Sequence, residues 1–165
     1  MMNEWRRRKR ASAVENGDFV CVETESGHGS TAWDPEAKQH LLPPDVSDDE
    51  LGQAVLDALA HSRHMSVEEA CVFLEYRAVK VRYDTWVAAL MERYGYKTRR
   101  ALFKSMKNCS AECVEGRITI APTRHEKLEG WGREKDDGIE DVVIPADSPP
   151  AAVGAALRLA FSRCR

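Results

Sequence analysis

The sequence predicts an α/β fold in the form of an α+β sandwich. Two observations support it: apolar, glycine and proline positions recur in the two halves of the chain, and helix-starting signals lie between the copies. We therefore expect two β-hairpin–strand–helix repeats that form a mixed sheet, with a helical insertion between them. The length fits one domain over residues 1–165, with repeat 1 at about 5–65, the insertion at about 66–95 and repeat 2 at about 97–165.

The repeat follows a nearly constant spacing. At an offset of 102, the matched positions are Leu42-Pro43 with Ile144-Pro145, Asp45 with Asp147, Leu51-Gly52 with Val153-Gly154, Ala54-Val55 with Ala156-Leu157, and Ala58-Leu59 with Ala160-Phe161. Upstream, residues 16–21 align with residues 115–120 at an offset of 99. Trp33 aligns with Trp131 at 98. An ordered series of this kind indicates duplication rather than coincidence.

Turn and capping signals define the elements of each repeat. Asn16-Gly17 predicts a tight hairpin turn, because both central residues of that turn need a positive φ, and Glu115-Gly116 takes its place in repeat 2. Prolines end the third strands, since proline cannot donate to the ladder. The predicted strands are 12–15, 18–24 and 39–42, then 111–114, 118–121 and 141–144; the helices run over about 47–63 and from 148 to the C-terminus. Gly52 and Gly154 predict close packing of these helices on the sheet.

The insertion contains further helix signals. Ser66 and Glu69 form a capping box that predicts a helix to about Val79. Residues 83–94 predict a second helix, which Gly95 ends. Residues 99–106 are ambiguous: their place before the second hairpin favours a strand that matches the basic segment 5–10, while their composition also suits a helix.

Composition limits the class of protein. Of 165 residues, 43% are apolar and 31% charged, which is typical of a soluble globule and unlike a disordered, collagen-like or membrane chain. No apolar stretch reaches the roughly 18 residues of a membrane span, and residues 1–10 lack the apolar middle of a signal peptide. We therefore expect a cytoplasmic protein with no membrane association. An odd number of cysteines in a reducing compartment indicates free thiols.

Charge is unevenly distributed. Residues 12–66 carry 11 acidic side chains against Lys38 and Arg63, a net charge of −9 in a chain whose total is −3. Taken alone, such a cluster is most simply a solvated face, and the functional alternative is attraction of a basic partner. The overall negative charge argues against nucleic-acid binding as the main task.

Patterns for cofactors and metals are incomplete. Gly27-His28-Gly29 lacks the remaining residues of a phosphate-binding loop. Cys109 and Cys113 have no second ligand pair at zinc spacing, and His61 with His64 has no third ligand nearby in sequence. We expect no metal, no cofactor and no small-molecule substrate.

Two patterns leave an RNA-directed alternative open. His28 and His125 lie in corresponding loops, as a two-histidine ribonuclease would need, but the repeat alignment does not superpose them. The basic segments 6–10 and 99–107 could hold RNA, although the adjacent acidic segment would repel the same phosphates. This alternative is an RNA-binding or RNA-processing protein.

Five segments in a fixed order carry a resemblance to a known family: Leu51-Gly52 to His61-Ser62-Arg63, Trp86-Val87 with Leu90-Met91 and Tyr94 to Thr98, Ala101 to Lys104, Ile118 to Thr123, and Val153 to Leu157. Their order resembles the bacterial family of contact-dependent growth inhibition immunity proteins. The resemblance implies a non-enzymatic cytoplasmic protein whose partner is the C-terminal toxin domain of a surface-displayed effector. Because such toxins are often nucleases, and nucleases are basic, it also gives the acidic segment a purpose.

On charge alone, the predicted toxin-binding residues are Glu23, Glu25, Asp34, Asp48, Asp49, Asp57, Asp136 and Asp137. Four of them, Glu23, Glu25, Asp34 and Asp57, are expected to be exposed on repeat 1. The acidic loop 134–141 is the second candidate surface.

Overall fold

The computed structural model describes residues 8–165. Its strands are β1 (Lys9–Glu15), β2 (Val20–His28), β3 (Ser30–Trp33), β4 (His40–Leu42), β5 (Lys107–Val114), β6 (Arg117–Pro122), β7 (Arg124–Lys127), β8 (Gly130–Gly132) and β9 (Val142–Pro145). Its helices are α1 (Asp48–Ala60), α2 (Val67–Phe73), α3 (Tyr76–Tyr94), α4 (Arg99–Phe103) and α5 (Pro150–Arg163). Both repeats have the predicted order of hairpin, strand and helix, and the α+β class is confirmed.

A seven-stranded sheet forms the centre of the molecule. Its order is β3-β2-β1-β5-β6-β9, with β4 paired to the other end of β2, while β7 and β8 form a small separate sheet. The two repeats meet where β1 pairs with β5, and Ala11 faces Ala111 while Ser12 faces Ser110. At the repeat offset of 99, Ala11 corresponds to Ser110 and Ser12 corresponds to Ala111. Exchanging the two repeats therefore converts the Ala11–Ala111 pair into the Ser12–Ser110 pair. The halves are therefore related by a pseudo-two-fold axis through this pair of strands.

The expectation of a mixed sheet is wrong. Every pairing between the strands of residues 8–165 is antiparallel, and one isolated parallel bridge joins Gly27 to His64. Hairpin connections make neighbouring strands antiparallel within each repeat. A two-fold axis perpendicular to the sheet also reverses the direction of β5 relative to β1, so the junction is antiparallel too.

Helices α1 and α5 cover one face of the sheet and contact each other through glycine. A Cβ atom on Gly52 would lie 1.7 Å from the backbone oxygen of Pro150, and one on Gly154 would lie 1.9 Å from that of Asp48. Asp48 and Pro150 are themselves 102 residues apart, so the contact obeys the repeat symmetry. The two glycines thus permit close approach of helix to helix, and the expected role in helix-to-sheet packing is corrected.

The helical insertion differs from the sequence prediction in where its first helix ends and its second begins. Ser66 and Glu69 form the predicted capping box, but α2 ends at Phe73 rather than near Val79. The side chain of Glu75 then accepts a hydrogen bond from the backbone of Ala78 and caps α3, which runs without interruption to Gly95. An acidic N-cap three residues before a free backbone N–H starts this long helix.

Residues 99–103 form helix α4, so the favoured strand over 99–106 is wrong. Thr98 caps this helix by accepting a hydrogen bond from the backbone N–H of Ala101. Its buried side chains, Leu102 and Phe103, join α3 and Met106 in a second core on the opposite face of the sheet from α1 and α5. Burial of two large apolar side chains on one short turn outweighs the positional analogy with the start of the chain.

Candidate functional site

The acidic residues of β2 lie against the second face of the sheet. Glu23 is 6% exposed and accepts hydrogen bonds from Gln39 Nε2 at 2.6 Å and Cys21 Sγ at 3.1 Å. Burial raises the pKa of Glu23, while these donors oppose the shift. Burial also raises the pKa of the half-buried Glu25, against the attraction of Arg10. The expectation that both carboxylates are exposed is wrong. Glu23 and Glu25 point to the same face of β2, and other parts of the chain cover that face.

Asp34 is a structural carboxylate. It is 1% exposed and accepts two hydrogen bonds from Arg63, at 2.7 and 3.0 Å, and one from Ser26 Oγ at 2.7 Å. Burial alone would raise its pKa, but the hydrogen bonds from Arg63, Ser26 and the backbone of Glu36 together lower it. The expected exposure of Asp34 is therefore also wrong: the side chain ties the β3 end to the segment after α1.

The acidic residues of α1 remain accessible. Asp48 pairs with Arg158 of α5 at 2.8 Å, and Asp49 accepts a hydrogen bond from Gln53. The side chain of Asp57 is 39% exposed, contacts His40 at 2.8 Å, and faces an open cleft of about 430 Å³ between α1 and β4. These three carboxylates are partly occupied but can still present negative charge to solvent.

The two predicted toxin-binding residues of repeat 2 have different roles. The side chain of Asp137 is 5% exposed, pairs with Arg133 at 3.0 Å and accepts hydrogen bonds from the backbone of Ile139 and Glu134. Those backbone bonds lower its pKa. Asp136 is exposed at a positive φ of 63°. Asp137 thus shapes the loop, and Asp136 is available for contact.

An apolar groove between α3 and the sheet is the feature that sequence reasoning missed. Its cavity volume is about 180 Å³, and it is lined from the sheet by Val14, Cys21, Glu23 and Trp33 and from α3 by Val79, Arg82, Tyr83 and Trp86. The indole Nε1 atoms of Trp33 and Trp86 are buried and have no acceptor at hydrogen-bonding geometry among residues 8–165. Trp86 lies beside the Glu23 carboxylate and opposes the rise in its pKa that burial causes. We call this set of residues the indole groove.

The indole groove combines properties typical of a recognition site. It is largely apolar, it contains a buried carboxylate, and it holds a buried donor in need of an acceptor. Helix α3 forms one wall, and only Val87 and Leu90 of its residues are buried. Tyr76, one turn before Val79, is 78% exposed. Trp33 was visible in the sequence as a repeat marker, but its place opposite α3 depends on how the insertion folds back.

The positions of the basic side chains do not support the RNA-binding alternative. Arg6 and Arg7 lie outside the described residues, whereas Arg10 pairs with Glu112 at 3.2 Å. Arg99 pairs with Asp84 at 2.9 Å and Glu129 at 2.8 Å. Arg10 and Arg99 are thus paired with carboxylates of the chain itself.

The fold does not bring together His28 and His125, the residues of the ribonuclease alternative, nor does it pair Cys109 with Cys113. His28 contacts the backbone oxygen of Met65, and His125 that of Leu128, in different sheets. Cys109 lies against Cys164 rather than Cys113. Over residues 8–165, no group of three or more potential ligands could hold a metal ion. No helix in that range is both long and apolar enough to cross a membrane.

Comparison with known proteins decides the family. The family model described as "CDI immunity protein" (CdiI) matches residues 9–164. The chain belongs to the CDI immunity protein family. It is 47% identical to the immunity protein CdiI-YPIII of Yersinia pseudotuberculosis serotype O:3, strain YPIII, with 99% of each chain covered.

Solved structures agree with this CDI immunity family assignment. The toxin and immunity complex CdiA-CT/CdiI from Yersinia pseudotuberculosis contains a chain 45% identical, with a TM-score of 0.88 over 96% of this chain and 98% of that one. A protein of unknown function from Neisseria meningitidis is 38% identical, with a TM-score of 0.90 over the full length of both. The resemblance stated from the sequence is confirmed, and the RNA-binding alternative has no support.

Proposed function

We propose that this CDI immunity protein binds the C-terminal toxin domain of its own CdiA effector in the cytoplasm and neutralises it without catalysing a reaction. The observation that carries the proposal is the match, over nearly the whole chain, to the immunity protein of a CdiA-CT/CdiI complex. Neutralisation by binding requires a surface rather than a catalytic group. The indole groove and the accessible acidic residues are the surfaces that suit it.

The indole groove is the proposed docking site for a segment of the toxin. On binding, the Trp33 indole would turn so that Nε1, which is buried in the free protein, donates to a partner carbonyl, and a donor that gains an acceptor on binding contributes affinity. Large aromatic side chains in a sheltered pocket are the usual anchors of protein interfaces. Exposed apolar side chains on the rim, such as Tyr76, would be covered by the same partner.

The accessible carboxylates are proposed to act at longer range. Asp48, Asp49 and Asp57 lie on α1, on the opposite face of the sheet from the indole groove, so they attract a basic toxin rather than touch the docked segment. Asp136 adds charge on repeat 2. A net charge of −9 in residues 12–66 suits a basic partner such as a nuclease. Glu23 and Glu25 belong to the groove side, while Asp34 and Asp137 hold structure.

A pair of variants on one helix tests the docking site. Val79 lines the groove, whereas Val81, two residues on, is 65% exposed and lies outside it. Val79→Arg places a long charged side chain in the groove and should weaken toxin binding by about a hundredfold or more, whereas Val81→Arg should bind normally. Binding is measured by calorimetry with the cognate toxin domain, and protection by growth of cells that express the toxin.

The outcomes separate function from site. Equal binding by Val79→Arg and the parent chain would remove the indole groove as the docking site while leaving the immunity function intact. Failure of the parent chain to bind or protect against its cognate toxin would overturn the function itself.

A further inference from the structure

Two thiols from distant parts of repeat 2 lie side by side. The Sγ atoms of Cys109, on β5, and Cys164, at the C-terminal end of α5, are 3.6 Å apart. Cys109 is 1% exposed and Cys164 is half-buried. A disulfide needs about 2.05 Å between sulfurs, so a shift of about 1.5 Å would join them.

The chain end holds Cys164 in this position. The backbone N–H of Arg165 donates to the oxygen of Thr123 at 3.1 Å, and that of His125 donates to the oxygen of Arg165 at 2.7 Å. The residue after Cys164 is thus bonded on both sides to the segment that follows β6. Cys109 lies on β5, a central strand of the sheet. Both thiols are therefore attached to backbone that hydrogen bonds hold in place.

Cys164 is accessible to small molecules, whereas Cys109 is not. A cavity of about 160 Å³ opens beside Cys164 and is lined by Lys107, His125, Trp131 and Arg165 among others. A site of this size admits a molecule as small as hydrogen peroxide. The hydrogen bond from Cys109 lowers the pKa of Cys164, against the effect of burial and with help from the backbone of Thr123 and from Lys107. A lower pKa increases the fraction of Cys164 in the thiolate form, which is the form that reacts.

The thiol is a departure from the repeat. At the offset of 102, Cys164 corresponds to Ser62, whose hydroxyl donates to the oxygen of Glu25 at 2.6 Å and accepts from the backbone of Arg10 at 3.0 Å. Cys164 reaches the backbone oxygens of Asn108 and Ala160 only at 3.6 and 3.7 Å. The hydroxyl of repeat 1 links α1 to the sheet, and the sulfur of repeat 2 replaces this link with weak contacts.

We propose that Cys164 is a peroxide oxidation site and that Cys109 is its resolving thiol. The Cys164 thiolate attacks one oxygen of hydrogen peroxide, the O–O bond breaks, and hydroxide leaves, which gives a sulfenic acid. The Cys109 sulfur then attacks the Cys164 sulfur, the S–S bond forms, and the S–O bond breaks, with the Cys109 proton leaving in water. Two electrons pass from the thiols to one peroxide, and the product is a disulfide that fastens α5 to β5.

The test uses the purified full chain and hydrogen peroxide. We expect a mass loss of about 2 Da, the two thiol hydrogens, and a cross-linked peptide pair that contains Cys109 and Cys164. Cys71→Ser is the matched control, because Cys71 is an exposed thiol on α2, and it should still form the link. Cys109→Ala should instead stop at oxygen adducts on Cys164. The oxidised parent chain should melt several degrees higher than the reduced one, and Cys109→Ala should show no such rise.

Peptide mapping of the parent chain keeps the test decisive even if Cys109→Ala folds poorly. A link between Cys109 and Cys164 in folded, monomeric protein supports the proposal. It is overturned if peroxide adds oxygen to Cys164 without forming that link, or if Cys71 is oxidised while Cys164 stays reduced.

Discussion

Trp33 and Trp131 occupy corresponding places in the two repeats, yet their surroundings differ. Trp33 lines the indole groove, and its buried Nε1 has no acceptor in the part of the chain that the structure describes. Trp131 stacks on His125 with ring centroids 4.9 Å apart, and its Nε1 donates to the backbone oxygen of Met106 at 2.9 Å. Within residues 8–165, the N–H of Trp131 therefore has an acceptor and the N–H of Trp33 has none.

The strands that carry the two tryptophans explain the contrast. In repeat 1, β2 is continuous over nine residues and holds β3 at the edge of the main sheet. In repeat 2, the equivalent strand ends at Pro122, and β7 and β8 separate into a sheet of their own. Proline cannot continue the ladder, so the chain turns away and brings Trp131 over Met106 and Phe103.

The comparison shows how a duplicated scaffold divides its tasks. In repeat 1, β3 forms an edge of the sheet beside α3, and Trp33 Nε1 is the donor that we propose for a partner. Repeat 2 closes its own hairpin over the second core. The shared part is the α1–α5 contact, which the pseudo-two-fold axis makes nearly identical from both sides.

The largest effect is expected where the repeats are most alike. Gly52→Ala and Gly154→Ala should each lower the free energy of unfolding by about 3 kcal/mol or more, since each new methyl would meet the backbone of the facing helix. Urea unfolding measures both. Ala155→Ser, at an exposed position of α5, is the control and should change stability by less than about 0.5 kcal/mol. Unequal losses for the two glycine variants would break the symmetry of the contact.

A smaller loss is expected from Asp34→Asn. The change removes the buried charge that Arg63 binds through two hydrogen bonds, at a cost of about 2 kcal/mol at neutral pH. Because the folded-state pKa of Asp34 is lowered, its contribution is present above the unfolded pKa of about 3.9 and disappears as pH falls through the folded value. Urea unfolding at a series of pH values should therefore show the two proteins converging in acid. A constant difference at every pH would contradict the role of the charge.

Glu23→Gln should raise stability at neutral pH, the opposite of the effect of Asp34→Asn. Burial raises the folded-state pKa of Glu23, so its contribution is full below the unfolded pKa and is lost as pH rises through the folded value. The neutral amide should then make the protein more stable by about 1 kcal/mol at neutral pH and equal to the parent in acid. Thermal melts at acid and neutral pH measure this. Lower stability of the variant at neutral pH would mean that the carboxylate is better satisfied than its burial indicates.

The sequence reached the duplicated architecture because turns, prolines and glycines are local signals. It failed at α4, where burial of Leu102 and Phe103 outweighed a positional analogy. It also placed Glu23 and Asp34 on the surface, because charge is visible in a sequence whereas the α3 cover and the Arg63 partner arise from contacts distant along the chain. The indole groove escaped notice for the same reason.

The weakest expected effect concerns attraction at a distance. Asp49→Asn combined with Asp136→Asn changes two accessible carboxylates, neither of which is paired with a cationic side chain within the described residues. Association with the toxin should slow by about threefold at low salt and converge with the parent at high salt, with little change in stability. Stopped-flow association at two ionic strengths measures it. Identical rates at low salt would leave these carboxylates as a solvated surface.

The most direct measurement compares the two tryptophans. Trp33→Phe removes a donor that has no acceptor among the described residues 8–165, so it should leave the free energy of unfolding nearly unchanged and weaken toxin affinity by about tenfold or more. Trp131→Phe removes the bond to Met106, so it should cost about 1 kcal/mol of stability and leave affinity unchanged. Calorimetric titration of both folded variants with the toxin domain decides between the repeats. Weaker binding by Trp131→Phe, with normal binding by Trp33→Phe, would contradict the assignment of recognition to repeat 1.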